Sequence, residues 1–164
     1  MPETLVLPQG RFDGRQPFQQ WLREGLQAAA QQGWNQLTLA DADFVDWPLG
    51  ERAVVEALQA WARPGRRLRM LAVDYAELRR RHARFVQWRT LSSHLVDCHA
   101  CKGVEPQDFP SVLWSPHWSL RRLDVAHCRG WAGAEAERRL QTQELLAEWQ
   151  RRATPAFAAD VLGL

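Results

Sequence analysis

The residue types best able to do chemistry are concentrated in one short segment, LVDCHACKGVEPQD, which runs from Leu95 to Asp108. It holds two of the three cysteines, one of the five histidines and the only lysine of a chain with twenty arginines. Cysteine and histidine are zinc ligands, whereas histidine and lysine can attack and hold a phosphate. The segment therefore permits three interpretations: a metal site, an altered phosphodiesterase motif, or the end of a buried strand.

The metal interpretation has an incomplete set of ligands. Cys98 and Cys101 form a C-x-x-C pair, and His127 and Cys128 could supply two further ligands. A second zinc half-site needs ligands separated by about two to five residues, whereas His127 and Cys128 are adjacent. We therefore expect Cys98 to be a small buried strand residue, and we expect neither a metal nor another cofactor.

Strands and helices alternate around this segment. QLTLA at 36–40, LRMLAV at 68–73 and the run 94–100 predict strands, and helical periodicity extends over 51–62 and 76–91. Such alternation implies right-handed crossovers. We predict an α/β fold with a mixed, largely parallel sheet flanked by helices, formed by residues 1–164 as a single domain. Further elements are expected as a first strand at 5–7, a helix ending at Gly33, a hairpin at 111–115 and 119–126, a long helix at 132–152 and an edge strand in the tail AFAADVLGL.

The order of these elements resembles one half of the phospholipase D superfamily fold. The segments most similar to it are LTLADADF, ERAVVEALQAWARPG, RRLRMLAVDY, RTLSSHLVDCHA and LLAEWQRR. More narrowly, the chain is similar to uncharacterised proteobacterial single-half domains of this kind that lack the catalytic motif. In active members the site forms between two halves, so the resemblance implies that this single half is a homodimer. It also implies that a catalytic motif would lie on the hairpin after the third central strand, which is the run 94–100.

The catalytic motif of the active members is His-x-Lys followed by four residues and Asp, and this chain departs from it. Here His99 and Lys102 are three positions apart, and Asp108 comes six positions after the lysine. Residues three apart on a strand point to opposite faces, so these side chains cannot converge in an extended segment. We predict a non-catalytic binding or interaction module. The alternative is a phosphodiesterase or phosphatidyl transferase with a displaced motif that uses His99, Lys102 and Asp108.

Arginines are concentrated in the region 63–89, which contains nine of them. Arg79, Arg80 and Arg81 are candidates for an anion-binding site, although consecutive residues fan around a helix axis. With Trp61 and Trp88 nearby, the same region could bind nucleic acid through phosphate contacts and base stacking. A net charge of only +2 does not favour nucleic acid, so an arginine-dependent nucleic-acid binder is the second alternative.

Asp41, Asp43 and Asp46 follow the strand QLTLA, at the end of a strand where α/β proteins tend to bind ligands. Alternating carboxylates could hold a hard cation, but no Gly or Glu occurs at calcium-loop spacing. We expect a solvated acidic turn.

The remaining features point to a cytoplasmic protein. The N-terminus has no basic region followed by an apolar run, and no stretch is long and apolar enough for a membrane span. An odd number of cysteines without framework spacing suits a reducing compartment. The absence of G-x-G-x-x-G, P-loop, G-x-S-x-G and H-E-x-x-H patterns excludes the enzyme classes that those motifs define.

Overall fold

The computed structural model describes residues 6–158. Within them the elements follow one another as β1 (Gly10–Asp13), α1 (Arg15–Gln32), β2 (Gln36–Ala40), α2 (Arg52–Trp61), β3 (Arg67–Ala72), α3 (Ala76–Arg81), α4 (Ala83–Leu91), β4 (Val96–Ala100), a 3₁₀ turn (Pro106–Asp108), β5 (Ser111–Trp114), β6 (Ser119–Asp124), β7 (Arg129–Gly133), α5 (Ala136–Arg152) and β8 (Thr154–Pro155).

The strands form one eight-stranded sheet in the order β1-β7-β6-β5-β2-β3-β4-β8. The predicted mixed α/β fold with flanking helices is confirmed. The expectation that the sheet is largely parallel needs correction, because only β2, β3 and β4 run parallel to one another. Every other neighbouring pair is antiparallel. The physical reason is that short turns join β5, β6 and β7, and short turns can connect only antiparallel neighbours.

The two faces of the sheet are covered unequally. Helices α1, α2 and α4 pack on one face over the main core, which includes Leu68, Met70 and Cys98. Helix α5 lies on the opposite face over a smaller core that contains Leu71, Trp114 and Leu146 among others. Because successive strand residues alternate between faces, the residues of β3 divide between these two cores.

The predicted third helix is interrupted at His82. This residue leaves helical geometry with φ −119° and ψ 59°, so that α3 ends and α4 begins there. Its buried imidazole Nε2 lies 2.9 Å from the carbonyl oxygen of Phe44. The histidine therefore ties the helix break to the loop after β2, which explains why periodicity alone did not reveal the break.

The terminal strands differ from the sequence prediction. The first strand of the described region is β1, not the run 5–7, of which residue 5 lies outside the described residues. The tail contributes only the two-residue strand β8 beside β4, and residues 159–164 also lie outside. Within residues 6–158 no helix has both the length and the apolar character needed to cross a membrane.

Candidate functional site

The carboxyl ends of the central strands bring together residues from distant parts of the chain. β2 ends just before Asp41, and the antiparallel strand β5 begins beside it, with Ala40 opposite Val112. β6 returns to the same edge, where Arg122 is paired with Ser111. This register places an acid, a hydroxyl and a guanidinium at the edge where open α/β sheets usually bind ligands.

Arg122 is the centre of a buried polar network at this edge. Its Nη2 donates to Asp41 Oδ1 at 2.9 Å, and its Nη1 donates to Asp46 Oδ2 at 2.8 Å. Its Nε donates to Ser111 Oγ at 3.2 Å, and the guanidinium lies 4.4 Å from the centre of the Phe18 ring. The side chains of Arg122 and Asp41 are only 1% and 3% exposed, so this ion pair is closed to solvent.

Electrostatics keep this guanidinium charged. Burial alone would lower the pKa of Arg122, but the carboxylates of Asp41 and Asp46 outweigh it and hold the pKa above the ordinary value. Cys128 Sγ accepts a further hydrogen bond from Nη1 at 3.3 Å. Its hydrogen-bond partners among residues 6–158 are Asp41, Asp46, Ser111 and Cys128, so they include neither a histidine nor a lysine. The buried charges of this network all have partners. Such a network stabilises the fold only while every charged group keeps its partner.

The acidic loop after β2 belongs to this network. The prediction of a solvated turn is wrong, because Asp41 is buried. Asp41 Oδ2 accepts hydrogen bonds from the backbone N–H groups of Phe44 at 2.8 Å and Asp43 at 3.3 Å. Phe44 has a positive φ of 60°, which is uncommon for a bulky residue. Burial raises the pKa of Asp43, although its hydrogen bond from the backbone of Val45 opposes the change. Two of the three loop carboxylates, those of Asp41 and Asp46, accept hydrogen bonds from Arg122 and so hold the loop against it.

The three residues of the altered motif lie apart. His99 is on β4, on the face opposite Cys98, and its buried Nδ1 has no hydrogen-bond partner among residues 6–158. Lys102 follows β4 on an exposed turn, and Asp108 lies in the 3₁₀ turn. Lys102 and Asp108 line separate pockets, and His99 lines neither. The structure does not bring these side chains to a common point.

An open pocket lies at the carboxyl ends of β3 and β4. We call it the carboxyl-edge pocket; it has a volume of about 530 Å³ and is lined by Val73, Asp74, Tyr75, Ala76, Arg79, Ala100, Lys102, Gly103, Ala156 and Phe157. It unites two residues singled out from the sequence, Arg79 and Lys102. The Arg79 guanidinium lies 4.6 Å from the centre of the Phe157 ring. The Tyr75 hydroxyl donates to the carbonyl of His99 at 2.8 Å and so fixes the pocket floor.

The triple arginine does not form a single anion site. Arg80 and Arg81 both turn to Glu77, at 2.6 Å and 2.8 Å, and the pKa of Glu77 is lowered mainly by the hydrogen bond from Arg81, with Arg80 second. Arg79 alone points to the carboxyl-edge pocket. The helix geometry separates the three side chains, since consecutive residues lie about 100° apart around an α-helix.

The four possible metal ligands are also separated. Cys98 lies in the main core and Cys101 in the core under α5, where its Sγ lies 3.5 Å from the carbonyl of Trp149. Burial raises the pKa of the Cys98 thiol to about 11, although Arg89 lowers it in part. His127 contacts Asp124 on the surface, and Cys128 contacts Arg122. In the part of the chain that the structure describes, no three such ligands are grouped.

The sequence did not reveal the role of Arg122, and the motif interpretation used His99 although a second histidine, His117, also has motif-like spacing. His117, Ser119 and Asp124 have the spacing of the phospholipase D motif, with serine in place of lysine. However, β6 carries Ser119 and Asp124 at its two ends, about 17 Å apart at strand rise. The His117 ring instead packs 5.7 Å from Trp34 at the amino ends of the parallel strands. With serine at position 119, the chain lacks at this place the cation with which the motif holds phosphoryl oxygens.

Comparison with known proteins gives a likeness of fold. No protein-family model and no curated protein matches this sequence. Among solved structures, NucT from Helicobacter pylori is similar with a TM-score of 0.58 at 10% identity, over 91% of this chain and 99% of that one. Phosphatidylserine synthase from Haemophilus influenzae is similar with a TM-score of 0.54 at 12% identity, over 88% and 38%.

A third similar structure is TrmBL2, described as an archaeal chromatin protein with a novel mode of DNA binding. The TM-score is 0.66 at 15% identity, and the match covers 94% of this chain. This chain spans 57% of the length of TrmBL2. The class that these findings define is a mixed α/β domain with a phospholipase D-like fold.

Proposed function

We propose that this protein is a non-catalytic phospholipase D-like domain that binds an anionic group in its carboxyl-edge pocket. The observation that carries the proposal is the buried ion pair between Arg122, on the hairpin formed by β5 and β6, and Asp41, which follows β2. The family resemblance places a catalytic histidine and lysine on this hairpin. A guanidinium only donates hydrogen bonds and does not deprotonate in proteins, so it can act neither as a nucleophile nor as a base.

The charges of the carboxyl-edge pocket favour an anion. Arg79 and Lys102 are both exposed cations on its wall. The one carboxylate beside them, Asp74, accepts a hydrogen bond from the backbone N–H of Ala76 at 2.6 Å. A guanidinium stacked on an aromatic ring still presents its N–H groups along its edge. An anion with several oxygens, such as a phosphate, could therefore contact both cations at once.

Pyrophosphate binding measured by titration calorimetry tests this pocket. We expect the double variant R79A/K102A to bind at least tenfold more weakly, since a hydrogen bond to a charged group contributes about 1.5–3 kcal/mol. The matched control R80A/R81A removes the same charge from the same region but affects only the arginines held by Glu77. Its affinity should stay within about twofold. Equal losses in both variants, or no binding to the unmodified protein, would contradict the proposal.

The alternative is a phosphodiesterase or phosphatidyl transferase that uses His99. Hydrolysis of bis(p-nitrophenyl) phosphate distinguishes it, because the proposal expects no turnover above buffer in either the unmodified protein or H99A. Activity that disappears in H99A would replace the proposal with the catalytic alternative. The second alternative, a nucleic-acid binder, has support in the fold likeness to TrmBL2, and it predicts an affinity that falls steeply with salt.

We also propose that residues 1–164 form one domain, that the protein is cytoplasmic and that it is a homodimer. It is supported by the correspondence of this chain to 38% of the phosphatidylserine synthase chain and by three free cysteines, which suit a reducing compartment. Trp21 and Trp131 are half-buried and could contribute to an interface, whereas the other seven tryptophans are buried. Light scattering after size exclusion is expected to give twice the chain mass of 18.9 kDa. A strict monomer across the micromolar range of protein concentration would contradict the proposed homodimer.

A further inference from the structure

The face of the sheet under α5 is only partly covered. Central parallel strands are ordinarily covered on both faces, and β3 is such a strand, between β2 and β4. Instead, Leu71 is buried under α5, while Arg67 and Arg69 on the same face are exposed. The amino halves of β2, β3 and β4 are therefore open on the α5 side.

The register of the strands assembles a row of side chains on this open face. Thr38 is opposite Trp114 on β5 and opposite Arg69 on β3. Arg69 is in turn opposite Asp97 on β4. With neighbouring strands about 4.8 Å apart, an indole, a hydroxyl, a guanidinium and a carboxylate lie side by side across four strands.

A groove of about 340 Å³ runs along this row beside α5. Part of its lining is apolar and buried, since Leu71, Trp114 and Leu146 are all less than a tenth exposed. The polar part of the lining consists of Gln36, Thr38, Arg67, Arg69, Asp97 and Gln143. A concave site in this range of volume that combines apolar surface with convergent polar groups can bind and orient a small molecule.

One positive charge in this groove is unbalanced. Arg67 is paired with Asp97 at 3.5 Å. Arg69 makes neither an ion pair nor a side-chain hydrogen bond with any residue in the range 6–158. An exposed guanidinium in the lining of a groove can bind a carboxylate through two parallel hydrogen bonds.

We infer that this groove binds a small organic monocarboxylate, with the carboxylate on Arg69 and its apolar body against Trp114 and Leu146. Thr38 and Gln143 are placed to bond polar substituents of the same ligand. The groove lies at the amino halves of the parallel strands, so it is separate from the carboxyl-edge pocket at their other end. It goes beyond the proposed function and does not depend on it.

Chemical-shift perturbation with benzoate and hexanoate, each at up to millimolar concentration, tests the inference on the whole chain. Benzamide is the neutral control for benzoate. We expect the carboxylates to shift backbone signals of β2, β3 and α5, and benzamide to bind at least tenfold more weakly. R69Q should weaken carboxylate binding at least tenfold, whereas R63Q, which removes an exposed arginine outside the groove, should leave it unchanged.

A147W supplies an independent test of the location. Ala147 is exposed on α5 and lines the groove, so an indole there would occupy the groove while Arg69 itself is retained. We expect A147W to abolish carboxylate binding and to leave pyrophosphate binding at the carboxyl-edge pocket intact. The inference is overturned if no carboxylate binds, if benzamide binds equally well, or if R69Q or A147W binds as the unmodified protein does.

Discussion

Replacing Arg122 with methionine is expected to lower the free energy of unfolding by about 3–5 kcal/mol, the cost of leaving a buried charge without its partner. The Asp41 carboxylate is 3% exposed and accepts from Arg122 at 2.9 Å. Methionine keeps much of the side-chain length beside the Phe18 ring, so the main loss is that of the positive charge. Urea unfolding followed by tryptophan fluorescence measures the change.

The double variant R122M/D41N separates the ion pair from the packing. Asparagine removes the charge at position 41 but keeps an acceptor for the backbone N–H of Phe44, which the carboxylate bonds at 2.8 Å. We expect the double variant to be about 2 kcal/mol more stable than R122M, because uncharged partners remove the desolvation penalty.

A surface pair provides the matched control for this prediction. Arg129 contacts Asp13 at 3.0 Å, with side chains 56% and 70% exposed. R129M should change the free energy of unfolding by less than about 1 kcal/mol. If R122M and R129M had equal costs, or if D41N failed to restore stability to R122M, the buried network would not be what stabilises this edge of the sheet.

The closed network is the structural basis of the proposal that this domain is non-catalytic. An exposed nucleophile requires an open edge, whereas Arg122 and Asp41 fill that edge with mutually satisfied charges. The chain retains exposed cations one strand further along, at Arg79 and Lys102. The proposed absence of catalysis is compatible with anion binding at these cations, so the two properties are tested separately.

Local patterns were sufficient to predict the centre of the fold. The alternation in QLTLA coincides with β2, Gln36–Ala40, and the helical spacing after it coincides with α2, Arg52–Trp61. These elements are specified by residues close in sequence, so their periodicity is visible without a structure. Strand β7 was missed because RGWAG is short and rich in glycine, which weakens any strand signal.

The network and the groove depend on contacts that local patterns do not contain. Arg122 and Asp41 are separated by 81 positions, and only the pairing of β5 with both β2 and β6 brings them together. The groove did leave a local signal. In RLRML the arginines at 67 and 69 alternate with Leu68 and Met70, which is the period of a strand with one polar face. The apolar residues that follow, Leu71 and Ala72, interrupt this alternation and weaken the signal.

Trp118→Ala is expected to destabilise the protein by about 3–5 kcal/mol, the usual cost of deleting a buried aromatic side chain. Trp118 is fully buried, and its Nε1–H donates to the carbonyl of Pro8 at 2.9 Å. Its ring lies so close to Gly25 of α1 that a Cβ there would be 2.5 Å from the ring. Gly25→Ala alone should therefore cost about 1–3 kcal/mol through overpacking.

The two substitutions are expected to be strongly coupled. Without the indole, the closest contact of a Cβ at position 25 is gone, and the nearest remaining one is with the Cδ2 of Leu113 at 2.9 Å, the end of a side chain that can move into the vacated space. Alanine is also a better helix former than glycine by about 1 kcal/mol. G25A should therefore stabilise the W118A variant although it destabilises the unmodified protein. In a W61A background, which lacks a different buried tryptophan, G25A should keep its cost, because substitutions at separate sites add. Urea unfolding of the four-member cycle measures the coupling, and additive costs in the W118A background would show that Gly25 does not make room for the indole.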